Sequence, residues 1–200
     1  MKKALLIVMI LNAYFVTAQE NELKQTSKEF QEELNRDYAD STKSPLTEAD
    51  LKVFKELEFF PINEKFIVKA QFIRAKRAKV FKMKTSTSRT PEYKKYGELH
   101  FTIDGKEHKL NVYQSIDLSK KEEYKEYLFL PFSDLTNGKE SYIGGRYIDM
   151  KIQDAKVWEI DFNKAYNPYC AYNHKYSCPI VPLENDLDVA ILAGVKKFHD

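Results

Sequence analysis

From Pro61 onward the apolar residues of this chain recur at every second position, and one segment fixes how they must pair. Leu99, Phe101 and Ile103 run into Asp104-Gly105, and His108, Leu110 and Val112 follow. An Asp-Gly pair supplies the two positive-φ residues that a tight hairpin turn of the right twist requires. With a two-residue or a four-residue loop Phe101 and Leu110 share a face, whereas a three-residue loop breaks that match. Upstream, Phe66, Val68, Ala70 and Phe72 alternate with Ile67, Lys69, Gln71 and Ile73, so a further strand begins there. Strands are also expected over 127–132, 147–152, 157–162 and 187–192, each bounded by Gly, Pro, Asn or Asp.

Before Pro61 the period is helical. Leu23, Phe30 and Leu34 recur among Glu and Lys over 20–37, which predicts a surface helix with one docking face. After Pro45, Thr47-Glu48-Ala49-Asp50 is a start signal for a short helix whose Leu51, Phe54 and Leu57 share a face. Together these features predict an α+β fold that is mostly β: a curled or barrel-like antiparallel sheet with two N-terminal helices.

Lys2 and Lys3, the apolar run from Ala4 to Val16 and the small residues at Val16-Thr17-Ala18 read as a secretory signal peptide over 1–18. The run is too short to span a bilayer as a helix, and no later segment is longer or more apolar. A secreted or periplasmic protein with one β-rich domain over 19–200 is the expectation. Residues 1–18 hold two lysines and no acid, so the +2 formal charge of the whole chain falls away with them. Balanced charge argues against a dedicated nucleic-acid binder. The local run Arg74, Lys76, Arg77, Lys79, Lys82 and Lys84 reads as a solvated edge hairpin, or as a contact for an anionic envelope surface.

Between Phe129 and Pro182 the composition departs from plain alternation. Both cysteines, the single tryptophan and a Gly144-Gly145-Arg146 turn fall here, with Tyr142, Tyr147, Tyr166, Tyr169, Tyr172 and Tyr176. In an exported chain Cys170 and Cys178 are expected to form a disulfide, restricting the unfolded chain by about 2.6 kcal/mol in the entropy model. His174 lies midway between them, but Pro168 and Pro179 oppose the helix that would align the three as metal ligands, so no metal is assigned. Asp134, Glu140 and Asp161 are the candidate working carboxylates, with Asp149 and Glu184 beside them. The alternative is that Asp134 and Asp161 hold loop amides and that Asp149 or Glu140 pairs with Arg146. Gly144-Gly145-Arg146 could receive a carboxylate or phosphate, or form a tight turn whose Arg stacks on tyrosine. His100 shares a parity with Glu98 and Thr102 and faces solvent, and neither it nor His108 has a nucleophile partner at a recognised spacing.

The runs Leu130-Pro131-Phe132-Ser133-Asp134, Thr136-Asn137-Gly138-Lys139-Glu140-Ser141-Tyr142, Gly144-Gly145-Arg146-Tyr147, Asp161-Phe162-Asn163-Lys164-Ala165-Tyr166-Asn167-Pro168 and Cys178-Pro179 carry a resemblance. So do Ser44-Pro45-Leu46, Tyr96-Gly97-Glu98-Leu99 and Glu184-Asn185. The chain resembles the bacterial family known as domain of unknown function 1684, over nearly all of its length beyond the signal segment. The resemblance implies a shared β-rich fold and a shared site of unassigned role. Similar proteins tend to carry an acid after the Ala-Gly pair, where this chain has Val195 after Ala193-Gly194, and the position of His174 varies among them.

The functional expectation is a pocket formed by loops 132–149 and 161–179 that binds a small polar or anionic molecule. Arg146 would anchor an anion, Tyr142, Tyr147 and Tyr166 would line the walls, and Asn163 and Asn167 would orient the ligand. The rival expectations are a hydrolase using the carboxylates of the same loops, and a structural or partner-binding envelope protein. No cofactor is implied, and the sequence sets no oligomeric state.

Overall fold

The computed structural model describes residues 25–198, and the signal segment at 1–18 lies outside them. Among the described residues no helix is long and apolar enough to cross a membrane. A long helix, α1, occupies 25–39, and a second, α2, spans Glu48–Val53. The helices thus differ from an even N-terminal pair: one is long and the other has six residues. Thr47 caps α2 by accepting from the Asp50 amide, as its start signal predicts. The helix stops before Phe54, and Leu57 reaches the same small core from extended chain.

Seven strands follow: β1 (Ile67–Arg74), β2 (Val80–Lys82), β3 (Glu92–Ile103), β4 (Lys106–Ser115), β5 (Tyr127–Phe132), β6 (Arg146–Lys151) and β7 (Val157–Asp161). They form one antiparallel sheet in the order β6-β5-β4-β3-β1-β7, with β2 paired to the first part of β3. The β3–β4 hairpin turns through Asp104 at φ 51° and Gly105 at φ 75°, which makes it the two-residue loop with Leu99 opposite Leu110. The sheet curls until its far edges almost meet. The Tyr147 amide in β6 donates to the Tyr166 carbonyl at 2.9 Å, and the Tyr166 amide returns a bond of 3.0 Å just beyond β7. One two-bond bridge therefore closes a half-barrel.

The inner face of the curl is the main core, built from Leu99, Leu110, Leu130, Trp158, Ile160 and Phe162 among others. Trp158 is fully buried and stacks on Phe72 with centroids 4.1 Å apart. The opposite face of β3 to β6 carries a second, aromatic layer of Tyr93, Tyr113, Phe129 and Tyr147. A bulge in β3 between Lys95 and Gly97 makes this possible. Tyr93 and Leu99 have the same parity, yet the extra residue turns them to opposite faces.

Residues 187–192, expected as a strand, are irregular. Their backbone groups are spent singly: the Leu135 amide donates to the Val189 carbonyl, the Leu187 amide to Ser133, and the Ile191 carbonyl accepts from a side chain. A segment so used has no ladder left to form.

The bulge also brings Lys95 to within 2.6 Å of Glu98, whose other oxygen meets His100 at 2.9 Å. The Lys95 bond, then the His100 bond, push the Glu98 carboxyl down to about 2. A depressed carboxyl contributes stability that is present above its unfolded value of about 4.3 and is lost as pH falls toward the folded value. Glu98→Gln is therefore expected to lower stability at pH 7 and to flatten its decline between about pH 5 and 2, read by urea denaturation across that range.

Candidate functional site

Strand alternation decides the site. Arg146 and Tyr147 are neighbours in β6, so their side chains leave the sheet on opposite faces. Arg146 points inward and is fully buried. Its Nη2 donates to Asp134 Oδ2 at 2.8 Å and to the Ile191 carbonyl at 2.9 Å, while Nη1 donates to the carbonyls of Ala193 and Val195. The Phe132 ring lies 5.2 Å from the guanidinium carbon. Gly194, at φ 77°, turns the chain so that the carbonyls on either side of it reach the same guanidinium. A Cβ there would lie 2.7 Å from the Ala165 carbonyl oxygen. Asp134 completes the knot by accepting from the amides of Thr136 and Ile191.

The expected anion anchor thus presents no donor to an open recess. It is an internal tie, and its carboxylate partner is Asp134 rather than Asp149 or Glu140.

Asp161 and Asn163 form a separate network. Ser27 in α1 donates to Asp161 Oδ2 at 2.6 Å, and the Asn163 amide and side chain donate to Oδ1. Asn163 also exchanges bonds with the backbone of Asn63, and Gln31 donates to its carbonyl. These contacts dock α1 and the 61–64 segment onto the end of β7. Asn167 is fully buried and donates to the Lys196 carbonyl at 2.9 Å. Glu140 is exposed. Of the expected ligand residues, Arg146, Asn163 and Asn167 thus spend side-chain bonds on the protein's own groups away from the outer face of the sheet, as do the carboxylates of Asp134 and Asp161.

Cys170 and Cys178 are free and buried, in place of the expected disulfide. Each sulfur serves as a hydrogen-bond partner instead: the Cys170 amide donates to Cys178 Sγ at 3.2 Å. The Cys178 thiol, followed by the Ser86 and Tyr142 hydroxyls, favours ionisation of Cys170, whose thiol is lowered to about 6. Cys178 is raised correspondingly by the same partnership and by burial. Among the described residues no group of three or more His, Cys, Asp or Glu side chains is arranged to hold a metal, and His174 is exposed.

The open recess lies on the outer face of the sheet, where Tyr147 points. It holds about 350 Å³ between β5, β6 and the 166–179 loop, with Phe30 and Leu34 of α1 at one side. Phe129 and Tyr147 meet edge to face at 4.7 Å, and Tyr147 and Tyr166 at 5.9 Å. The Tyr147 hydroxyl donates to the Pro179 carbonyl, which pins the loop to the sheet. Asp149 sits two residues beyond Tyr147 on the same face. Both Tyr127 and Tyr166 donate hydroxyls to its Oδ1 at 2.7 Å. The carboxylate is accessible to solvent yet crowded, as a group on a concave wall is. That crowding raises its pKa, and the two tyrosine bonds offset only part of the rise.

Tyr147, Tyr166 and Cys178 are the residues of the expected set that line this recess. Asp149, which closes the expected 132–149 loop, lines it too, whereas Tyr127, Tyr93 and Phe129 were outside the expected lining. The available signal was parity: Tyr127 with Phe129, and Tyr147 with Asp149, alternate against the apolar residues of the inner face.

The fold and recess define a small half-barrel protein with an aromatic pocket on the outside of its sheet. The chain belongs to the family described as protein of unknown function DUF1684, which matches residues 52–196. It is similar to the solution NMR structure of an uncharacterised protein from gene locus rrnAC0354 of Haloarcula marismortui, with a TM-score of 0.70 and 29% sequence identity. That likeness covers 90% of this chain and 96% of the other. No curated protein matches the chain.

Two outcomes follow from these geometries. Arg146→Met leaves the Asp134 carboxylate buried without its cation and is expected to cost about 3–5 kcal/mol in denaturant unfolding, with much of that recovered in the Arg146→Met, Asp134→Leu double variant. Asp149 has the opposite sign. A carboxyl whose folded pKa is raised favours the native state when protonated and loses that contribution as pH rises through the folded value. Asp149→Asn keeps an acceptor for both tyrosines, so it is expected to match or exceed the parent's melting temperature at pH 7, with the gap closing as pH falls toward 4.

Proposed function

We propose that this protein is an exported binder of a small polar molecule, held in the recess between the Tyr147 face of β6 and the 166–179 loop. One observation carries the reading: the hydroxyls of Tyr127 and Tyr166 converge on the Asp149 carboxylate at the edge of an aromatic hollow of about 350 Å³. Small-molecule sites are concave and mostly apolar, with a few fixed polar groups that set orientation, and their volumes begin at roughly 300 Å³. Here the rings supply contact area and the carboxylate and hydroxyls supply direction. Export is read from Lys2-Lys3, the apolar run and the Val16-Thr17-Ala18 site.

The hydrolase reading draws less support. A glycosidase-type hydrolase needs two carboxylates flanking the reacting bond, but Asp134 and Asp161 spend their oxygens in separate buried networks. Asp149 alone among the described acids lines the recess.

Tyr169 is a half-exposed wall of the recess, so its removal tests the site without disturbing the sheet. In a thermal-shift screen of small polar compounds, those that bind the folded state at 100 times their Kd stabilise it by about 2.7 kcal/mol. Hits whose shift shrinks in Tyr169→Ala are the expected result. A screen without hits, or hits that Tyr169→Ala leaves unchanged, would overturn the proposal, and turnover of a hit would favour the hydrolase.

A further inference from the structure

We infer that the recess takes an organic cation: a protonated amine on an aromatic or apolar body, with its N–H groups donated to Asp149. The inference rests on the proposed function, since it names the ligand class of that same site.

Charge is the first ground. Among the described residues Asp149 is the sole charged side chain lining the recess, and the guanidinium behind the lining, that of Arg89, is spent on Ser177. Both tyrosine bonds fall on Oδ1, which leaves Oδ2 without a hydrogen-bond partner or a cation among the described residues. The carboxylate is open to solvent and ringed by aromatic side chains, so a cation that covers it would supply the counter-charge the protein does not. Two other carboxylates held among packed side chains do have cations: Asp134 has Arg146, and Glu98 has Lys95.

The surroundings give a second ground. Rings of Tyr147, Tyr166, Phe129 and Tyr93 stand around the carboxylate side of the hollow, and the negative faces of such rings attract cations. A broader hollow of about 640 Å³ adjoins it at Tyr127 and Asp149. That approach carries Glu122, Glu123 and Glu126 against Lys125 and Lys151, so its acids outnumber its bases. A ligand arriving along it meets a field that draws cations inward and turns anions away. A neutral ligand could use the walls and Oδ2, but it would leave the charge uncompensated.

Three probes with one shared body separate charge from shape: phenethylamine, 2-phenylethanol and phenylacetate, titrated calorimetrically into the protein and into Asp149→Asn. The expected result is phenethylamine binding on the order of tenfold more tightly than the alcohol, as charge-assisted bonds exceed neutral ones, with no heat from phenylacetate. In Asp149→Asn the ratio of amine to alcohol is expected to fall to about one. The wild-type ratio needs no variant, so the result stands even if the substitution impairs folding. Tyr169→Ala, which should weaken amine and alcohol alike, then locates both in this recess. Equal binding of amine and alcohol to the parent would overturn the cation assignment while leaving the pocket standing. Tighter binding of phenylacetate would overturn it outright, and no binding of any probe would count against the assignment and the pocket together.

Discussion

The guanidinium of Arg146 holds together parts of the chain that share no ladder. It reaches the 134–136 loop through Asp134 and the C-terminal segment through the carbonyls of Ile191, Ala193 and Val195. Isolated in the core, such a charge would be expensive, and its pKa is pulled down by burial although Asp134 opposes the change. It persists because nearly every donor has a fixed acceptor. The irregular C-terminal stretch is a result of this arrangement. The carbonyls of Ile191, Ala193 and Val195 converge on one guanidinium, so 191–195 wraps the arginine and meets its neighbours only through single bridges such as Phe59 with Val195.

That tie also positions the recess, although it takes no part in it. Arg146 fixes the start of β6 from inside, and alternation then sets Tyr147 and Asp149 outside. Asp161 and Asn163 do the same at the other end of the sheet, where they dock α1 and so carry Phe30 and Leu34 to the recess. The most unusual residues of the 129–182 stretch are thus mainly the frame around the pocket. Its lining is a set of tyrosines and phenylalanines that would pass for ordinary strand residues.

Much of the fold was legible in the sequence because it is local. Asp104-Gly105 determines its hairpin through backbone conformation alone, and Thr47 caps its helix through the adjacent amides. The 127–132 strand is bounded as its turn residues indicate. The site was less legible because it depends on the direction of side chains across distant strands. Reading Arg146 and Tyr147 as members of one pocket overlooked that β6 begins at Arg146, which sends the two apart. Tyr93 reaches the aromatic layer through a bulge that reverses parity within β3, and the local sign of it was Gly97, a lone glycine inside the strand. The cysteines invited a bond on grounds of compartment, whereas the loop seats them as hydrogen-bonding thiols.

The junction between Tyr147 and Tyr166 has a dynamic consequence. β3 and β4 share a long ladder, but the two rims of the curl meet through one reciprocal pair of amides and the Tyr166 hydroxyl bond to Asp149. Native proteins open first where few bonds must break, and this short seam is a hinge line of that kind in the half-barrel. The same two tyrosines wall the hollow, and parting the rims would widen its mouth while the Trp158 core stayed packed. If the recess takes a ligand as proposed, breathing of the barrel and admission of that guest would be a single motion.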